Sequence, residues 1–329
     1  MKPRMRRRDV MAAISAAALT LPAYGQPSAR AVIAYLSARS SRTDGPMLAA
    51  LRQGLKEIGY IEGSNLSIEY RWGEGRYERL PALASDLVRE QVAVIVTGGG
   101  EVAALAAKAA TSSIPIVFNV GGDPLRSGLV SSLNRPGSNL TGVSSFLFTL
   151  GAKQLDVLRE MVRAADPIGI LANPLDPGFE SRIYDTRAAA DAVRQTITIA
   201  EASTEEELER AFETFVQQGV RAVAIMAGPF FVTSADRLIH LAARYQLPTM
   251  YFRREFALAG GLISYGSDTA EGYRQMGVYA GRILNGSNPG DLPIVQPTKF
   301  ELIINLKTAK ALGLLIPPTL LARADEVIE

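Results

Sequence analysis

From residue 31 onward, short β-branched runs alternate with longer stretches whose apolar residues recur every three or four positions, a pattern that predicts a doubly wound α/β arrangement. Strands are predicted over 31–36, 66–72, 92–97 and 115–119, with helices over 46–58, 77–89 and 102–110 between them. In the first helix Leu48, Leu51, Leu55 and Ile58 share one face, and Gly59 suits the left-handed residue that ends it. The same order then recurs, with strands over 168–172, 196–200, 222–226 and 248–252 and helices over 180–194, 205–218 and 234–245. A local trace of duplication accompanies it. Pro115-Ile-Val-Phe is followed 13 residues later by Gly128-Leu-Val-Ser, and Pro248-Thr-Met-Tyr by Gly261-Leu-Ile-Ser at the same interval.

After this second series come a helix over 269–284, an extended proline-bounded passage over 293–297, a strand over 299–305 and a helix over 308–312. That tail is too short for a domain, so it is expected to cross between lobes already built. Three crossings are expected, near 141–148, 262–266 and 294–300. Lobe one then holds 31–145 with 266–295, and lobe two 146–265 with 296–329. The expected fold is α/β, with two Rossmann-like lobes, each with a parallel sheet, joined by a three-segment hinge around a cleft.

The first 25 residues read as an address. A basic start from Lys2 to Arg8 precedes 12 apolar residues and then Ala23-Tyr24-Gly25, with small residues at both positions that a signal peptidase inspects. The apolar run falls short of the ~20 residues that cross a bilayer as a helix. Arg7-Arg8 ahead of an apolar run fits a twin-arginine signal, and an ordinary Sec signal equally. Removing this segment, with five basic and one acidic side chain, turns a net charge of +2 into −2, so no nucleic-acid surface is indicated. The chain has no cysteine and one histidine, His240. Disulfides, thiolate metal sites, a cysteine nucleophile and a multi-histidine metal site are thereby excluded. His240 lies in mid-helix far from any serine elbow, so it gives no basis for catalysis.

Ligands of open parallel sheets lie beyond the carboxyl ends of the strands. In the first lobe those ends are 37–41, 97–100 and 119–123; in the second, 173–174, 227–230 and 252–254; both sets should face one cleft. Thr97-Gly98-Gly99-Gly100 precedes a helix and serves either as a cradle for an anion or as a tight turn that needs glycine. It lacks the Gly-Lys-Ser/Thr of a phosphate loop and the dinucleotide spacing. Ser37 is a ligand contact or a helix cap, with Arg39 nearby as an anion partner. Gly122 leads into Asp123-Pro124, where Asp123 either caps a helix or accepts a ligand amine. Asn173 bonds a ligand or its own turn, and Gly228 opens the following loop. Phe146, Phe230, Tyr251 and Tyr265 either stack on a ligand or belong to the core. Arg253 pairs with a carboxylate or is a solvated surface residue. This mixture suits a small carboxylate-bearing solute with an apolar or aromatic body, its anion on the donors after strand three, an amine on Asp123 and a ring against Phe230 or Tyr265.

Ile114-Pro-Ile-Val-Phe through Gly122-Asp-Pro, Gly128-Leu-Val, Pro136-Gly-Ser-Asn-Leu-Thr-Gly, and the tail from Leu292 to Gly313 with Ile316-Pro-Pro resemble the ABC-transporter substrate-binding family often labelled tryptophan/tyrosine-type. The resemblance covers nearly all of the chain after residue 25. It implies a type I periplasmic binding-protein fold and a non-catalytic receptor that delivers a captured small-molecule ligand to an ABC permease in the inner membrane. No cofactor, metal or nucleic acid is expected, and the receptor is expected to be a monomer. Lipoprotein members carry a lipobox cysteine that this chain lacks, which fits free diffusion in a Gram-negative periplasm. The rivals are an exported α/β hydrolytic enzyme and a ligand-sensing partner of a membrane receptor. Periplasmic protein should begin at Gln26 by mass spectrometry. Replacing Arg7 and Arg8 by lysine should stop export if the route is twin-arginine and leave it intact if the route is Sec.

Overall fold

The computed structural model describes residues 30–162, 165–297 and 299–329, so the segment read as an export signal lies outside the described residues. The first half builds β1 (Ala31–Ser37), α1 (Ser41–Glu57), β2 (Leu66–Trp72), α2 (Leu80–Arg89), β3 (Val94–Gly98), α3 (Glu101–Ala110), β4 (Ile116–Val120) and β5 (Leu140–Ser144). There follow α4 (Gly151–Arg159), β6 (Ile168–Ala172), α5 (Phe179–Ala192), β7 (Ile197–Glu201), α6 (Glu205–Gln217), β8 (Ala222–Ile225), α7 (Pro229–Thr233), α8 (Ala235–Arg244), β9 (Thr249–Tyr251), α9 (Arg254–Leu258) and β10 (Ile263–Ser267). The tail adds α10 (Thr269–Leu284), β11 (Phe300–Asn305), α11 (Leu306–Ala311), α12 (Pro318–Leu321) and β12 (Glu326–Ile328).

The first sheet runs β2-β1-β3-β4-β5, all parallel, and the second β12-β11-β10-β9-β8-β6-β7, parallel except where β10 meets β11. The run β7-β6-β8-β9-β10 repeats the first sheet's order, which is the architectural form of the duplication. The local repeat misleads in one place. Gly261 to Ser264 does enter β10, whereas Gly128 to Ser131 is a turn and the equivalent strand, β5, starts only at Leu140. An extra loop in the first lobe separates them.

Helix α1 begins five residues before the predicted start, because Ser40 and Thr43 form a reciprocal cap ahead of Pro46. Helices α4, α7, α9 and α12 and the strand β12 were not foreseen; most are one or two turns long, too short for periodicity to register. The chain passes between sheets three times: after β5 into α4, after β10 into α10, and from Val295, which bridges Val143, into β11. Because β10 runs to Ser267 in the second sheet, the middle passage comes just beyond the expected window.

The middle passage brings α10 back against α1 of the first lobe. Their backbones meet so closely that a Cβ on Gly54 would lie 1.9 Å from the Arg274 carbonyl oxygen, and one on Gly277 would lie 2.1 Å from that of Leu51. Around this contact Met47, Leu51, Leu55, Tyr273, Met276 and Tyr279 join the core beneath β1 and β3. Gly277→Ala should therefore cost about 1–3 kcal/mol by overpacking, against a helix-propensity gain of about 1 kcal/mol. Urea denaturation measures the balance, and a neutral or stabilising result would contradict the close approach.

Candidate functional site: an interlobe cleft

The carboxyl ends of β1, β3 and β4 face those of β6, β8 and β9 across a cavity of about 570 Å³ including its mouth. Arg39, Gly99, Gly100, Glu101, Asn119 and Tyr273 line it from the first lobe; Asp176, Pro177, Gly228, Phe252 and Arg253 line it from the second. Ser145, Leu147 and Thr269 border it where the chain passes between lobes.

Arg39 is buried and held from one side. Its Nε donates to Asp44 and its Nη2 to the Tyr273 hydroxyl, while Asp44 Oδ2 accepts from the Tyr35 hydroxyl and from Ser37 Oγ, both at 2.7 Å. Burial, then the field of Asp44, pushes the Tyr35 phenol well above its ordinary pKa, so it stays a donor. Arg253 donates from Nε and Nη2 to Glu255, at 3.1 and 3.2 Å, and its buried Nη1 has no hydrogen-bond partner. Asn119 Nδ2 is likewise buried without a partner, in space left by Gly272, whose Cβ would stand 2.8 Å from it.

The acceptors are two carboxyls. Glu101 opens α3 directly after Gly99 and Gly100, which adopt φ of +76° and +80° to make the turn. Asp176 lies on the bare backbone of Gly228, where a Cβ would meet Oδ2 at 2.3 Å. Tyr77, from the first lobe, donates to Asp176 Oδ1 at 2.7 Å and accepts from the Phe230 backbone N–H at 3.2 Å, and its ring packs on cores of both lobes. Asp176 Oδ2 stands 3.7 Å from Arg182 Nη1 without a hydrogen bond, and Glu101 Oε2 is also unpartnered. Burial raises the Glu101 carboxyl to about 8 despite Arg182, and Asp176 to about 6. At the rim, Arg42 reaches Asp236 at 3.2 Å and Arg126 reaches Asp185 at 3.8 Å, both across the lobes.

Of the residues picked out in the sequence, Gly99, Gly100, Gly228 and Arg253 come together on the cavity wall. Ser37 stands one layer behind, bonded to Asp44. Thr97 is fully buried, and Gly98 packs under the Tyr35 and Tyr273 hydroxyls, where a Cβ would lie 2.0 and 2.9 Å away. The Gly122 carbonyl accepts from Ser144 Oγ at 2.7 Å. Asp123 accepts from the Leu125 N–H at 2.8 Å, heading a run of turns rather than a helix, and lines a neighbouring groove. Phe146 takes a left-handed φ of +48° beside the first passage. Asn173 accepts from the Leu175 N–H at 2.9 Å. Phe230 lies in the second lobe's core against Phe231, Tyr251 stacks on Phe256 and Tyr265 on Phe300, so Phe252 is the aromatic side chain that lobe contributes to the wall.

Glu101, Asp176, Tyr77 and Tyr273 were missed. Glu101 had a readable signal, an acid placed immediately after a glycine loop at a strand end; Asp176 had a weaker one, in the Asn173-Pro-Leu-Asp loop. The tyrosines reach the cleft from a turn and from α10, which only tertiary packing reveals.

Two lobes closing over polar groups that lack partners define a two-lobed solute-binding protein of the type I periplasmic class. The chain belongs to the ABC transporter substrate binding protein family, whose model matches residues 32–328. It is 25% identical over 283 residues to the "Tyrosine-binding protein" of Clostridioides difficile, covering 84% of this chain and 80% of that one. Among solved structures it resembles a conserved domain protein of Vibrio cholerae (26% identity, TM-score 0.82, 91% and 99% of the two chains). It also resembles the ABC domain from Streptococcus pneumonia in complex with L-Trp (22% identity, TM-score 0.80, 91% and 100%). The family is one of solute-binding proteins and not of enzymes. Among the described residues no helix is long and apolar enough to cross a membrane.

Opening the cleft returns Glu101 and Asp176 to water and toward the ordinary values of 4.5 and 3.8. The empty closed form therefore binds more protons than the open form, and its advantage is lost as pH rises through about 6 and about 8. Small-angle scattering of ligand-free protein should give a smaller radius of gyration at acid pH than at alkaline pH across that window; an unchanged radius would contradict the burial of these carboxyls between lobes.

Proposed function

We propose that this chain is the periplasmic receptor of an ABC importer, closing on a small carboxylate-bearing amino acid and presenting the closed form to a permease in the inner membrane. The observation that carries this reading is the set of buried polar atoms without partners on the cavity wall. Arg253 Nη1 and Asn119 Nδ2 are donors for a carboxylate, while Glu101 Oε2 and Asp176 Oδ2 are acceptors for an ammonium. Each such atom costs about 1–3 kcal/mol when buried unmade, so a ligand that completes them recovers stability that the empty closed form lacks. Val102, Leu147, Val232 and Phe252 supply apolar wall for the body of the solute. The donors and acceptors come from both lobes, which is the condition for a ligand to shift an open–closed equilibrium. The relatives named for tyrosine and solved with L-Trp support the amino-acid class.

In this reading the moving bodies are residues 31–145 with 266–295 and 146–265 with 296–329, hinged at the three passages. The protein acts as a monomer, exported with a cleaved signal segment. Gly99, Gly100, Gly228 and Arg253 touch the ligand, joined by Asn119, Glu101 and Asp176.

A thermal-shift panel of amino acids, aromatic acids and sugars tests the class. A true ligand at about 100 times its Kd adds roughly 2.7 kcal/mol of stability. Arg253→Gln should weaken a carboxylate ligand by about 1.5–3 kcal/mol, the range for a hydrogen bond to a charged group. A response to sugars alone, with no amino acid binding, would remove the ligand class.

A further inference from the structure

Among the described residues the closed cleft holds one more carboxyl than it has guanidinium groups to pair with. Arg39 is paired with Asp44, and Arg253 with Glu255. Arg182 faces both Asp176 and Glu101. One carboxyl is left without a cation of its own; burial, with Asp123 adding to the field from the adjoining groove, keeps Glu101 protonated in the empty cleft. Arg126 and Asp185, also in that groove, offset each other. Glu101 and Asp176 are each only 5% exposed, so water and counter-ions reach them poorly. The carboxylate of a zwitterion lands beside an arginine that Glu255 already neutralises, so only a ligand with a further positive charge lets Glu101 ionise without leaving the closed cleft net negative.

The inner cavity adjoins a second groove. Glu101 and Pro177 border both the inner cavity and a second groove of about 1510 Å³, including its open side, that lies between α3 and α5. Asp123 and Ser127 line this groove, and Ser127 Oγ is buried without a partner.

We propose that the ligand is an amino acid of net positive charge, whose cationic side chain passes Glu101 into the groove lined by Asp123. This rests on the amino-acid reading above and narrows it. Calorimetric titration of the mature protein with near-isosteric pairs, arginine against citrulline and lysine against norleucine, isolates the charge. The cationic member should bind at least about tenfold tighter, a difference of roughly 1.4 kcal/mol. Glu101→Gln should erase most of that preference. Asp123→Asn, at a half-exposed position, should reduce it several-fold, and it serves if the buried substitution disturbs folding. Equal or tighter binding of the neutral members, or of tyrosine or tryptophan over arginine, overturns the charge assignment and leaves the amino-acid reading standing. Failure of every amino acid to bind overturns both.

Discussion

The contact on which the molecule depends is the one between α1 and α10. Gly54 and Gly277 let two helix backbones lie against each other, so a segment that has just left the second sheet is fixed to the first lobe. Neither lobe is then a continuous piece of chain, and three passages join them where a simple tandem of domains would need one. The same contact carries Tyr273 to the floor of the cleft, where its hydroxyl receives Arg39. Close packing away from the cleft thus decides which way an arginine of the cleft wall points.

The cleft combines unfavourable terms that a single lobe would avoid. Buried carboxyls with raised pKa values stand opposite one another, one from each lobe, and a donor on each lobe is left unmade. Such groups are tolerated because water satisfies them whenever the lobes part, so the cost falls on closure and not on folding. The network behind Arg39 is built differently. Tyr35, Ser37 and Asp44 satisfy one another completely within the first lobe, so Arg39 is pre-set before any solute arrives.

The sequence was informative where physics is local. Strand positions, the repeated order and the loops at strand ends could be read from periodicity and glycine placement, and that reading reached Gly99, Gly100, Gly228 and Arg253. It failed where side-chain direction depends on distant packing. Tyr251 and Tyr265 sit at strand ends but stack inward on Phe256 and Phe300. Asp123 turns to its own backbone, while Glu101, directly after the glycine loop, faces the cavity because a left-handed glycine pair aims it there. Strand ends locate a cleft; they do not say which side chains look into it.

The rim pairs Arg42 with Asp236 and Arg126 with Asp185, and each pair draws one member from each lobe. Neither lobe alone displays these charge patterns, so the outer face would differ between the proposed open and closed states in a way that does not involve the solute. A protein surface inspecting that rim performs a logical conjunction: it sees the pattern only when both halves are present in register. In the proposed receptor, occupancy would thereby be reported on the outside, and one reader would suit any solute that closes the cleft.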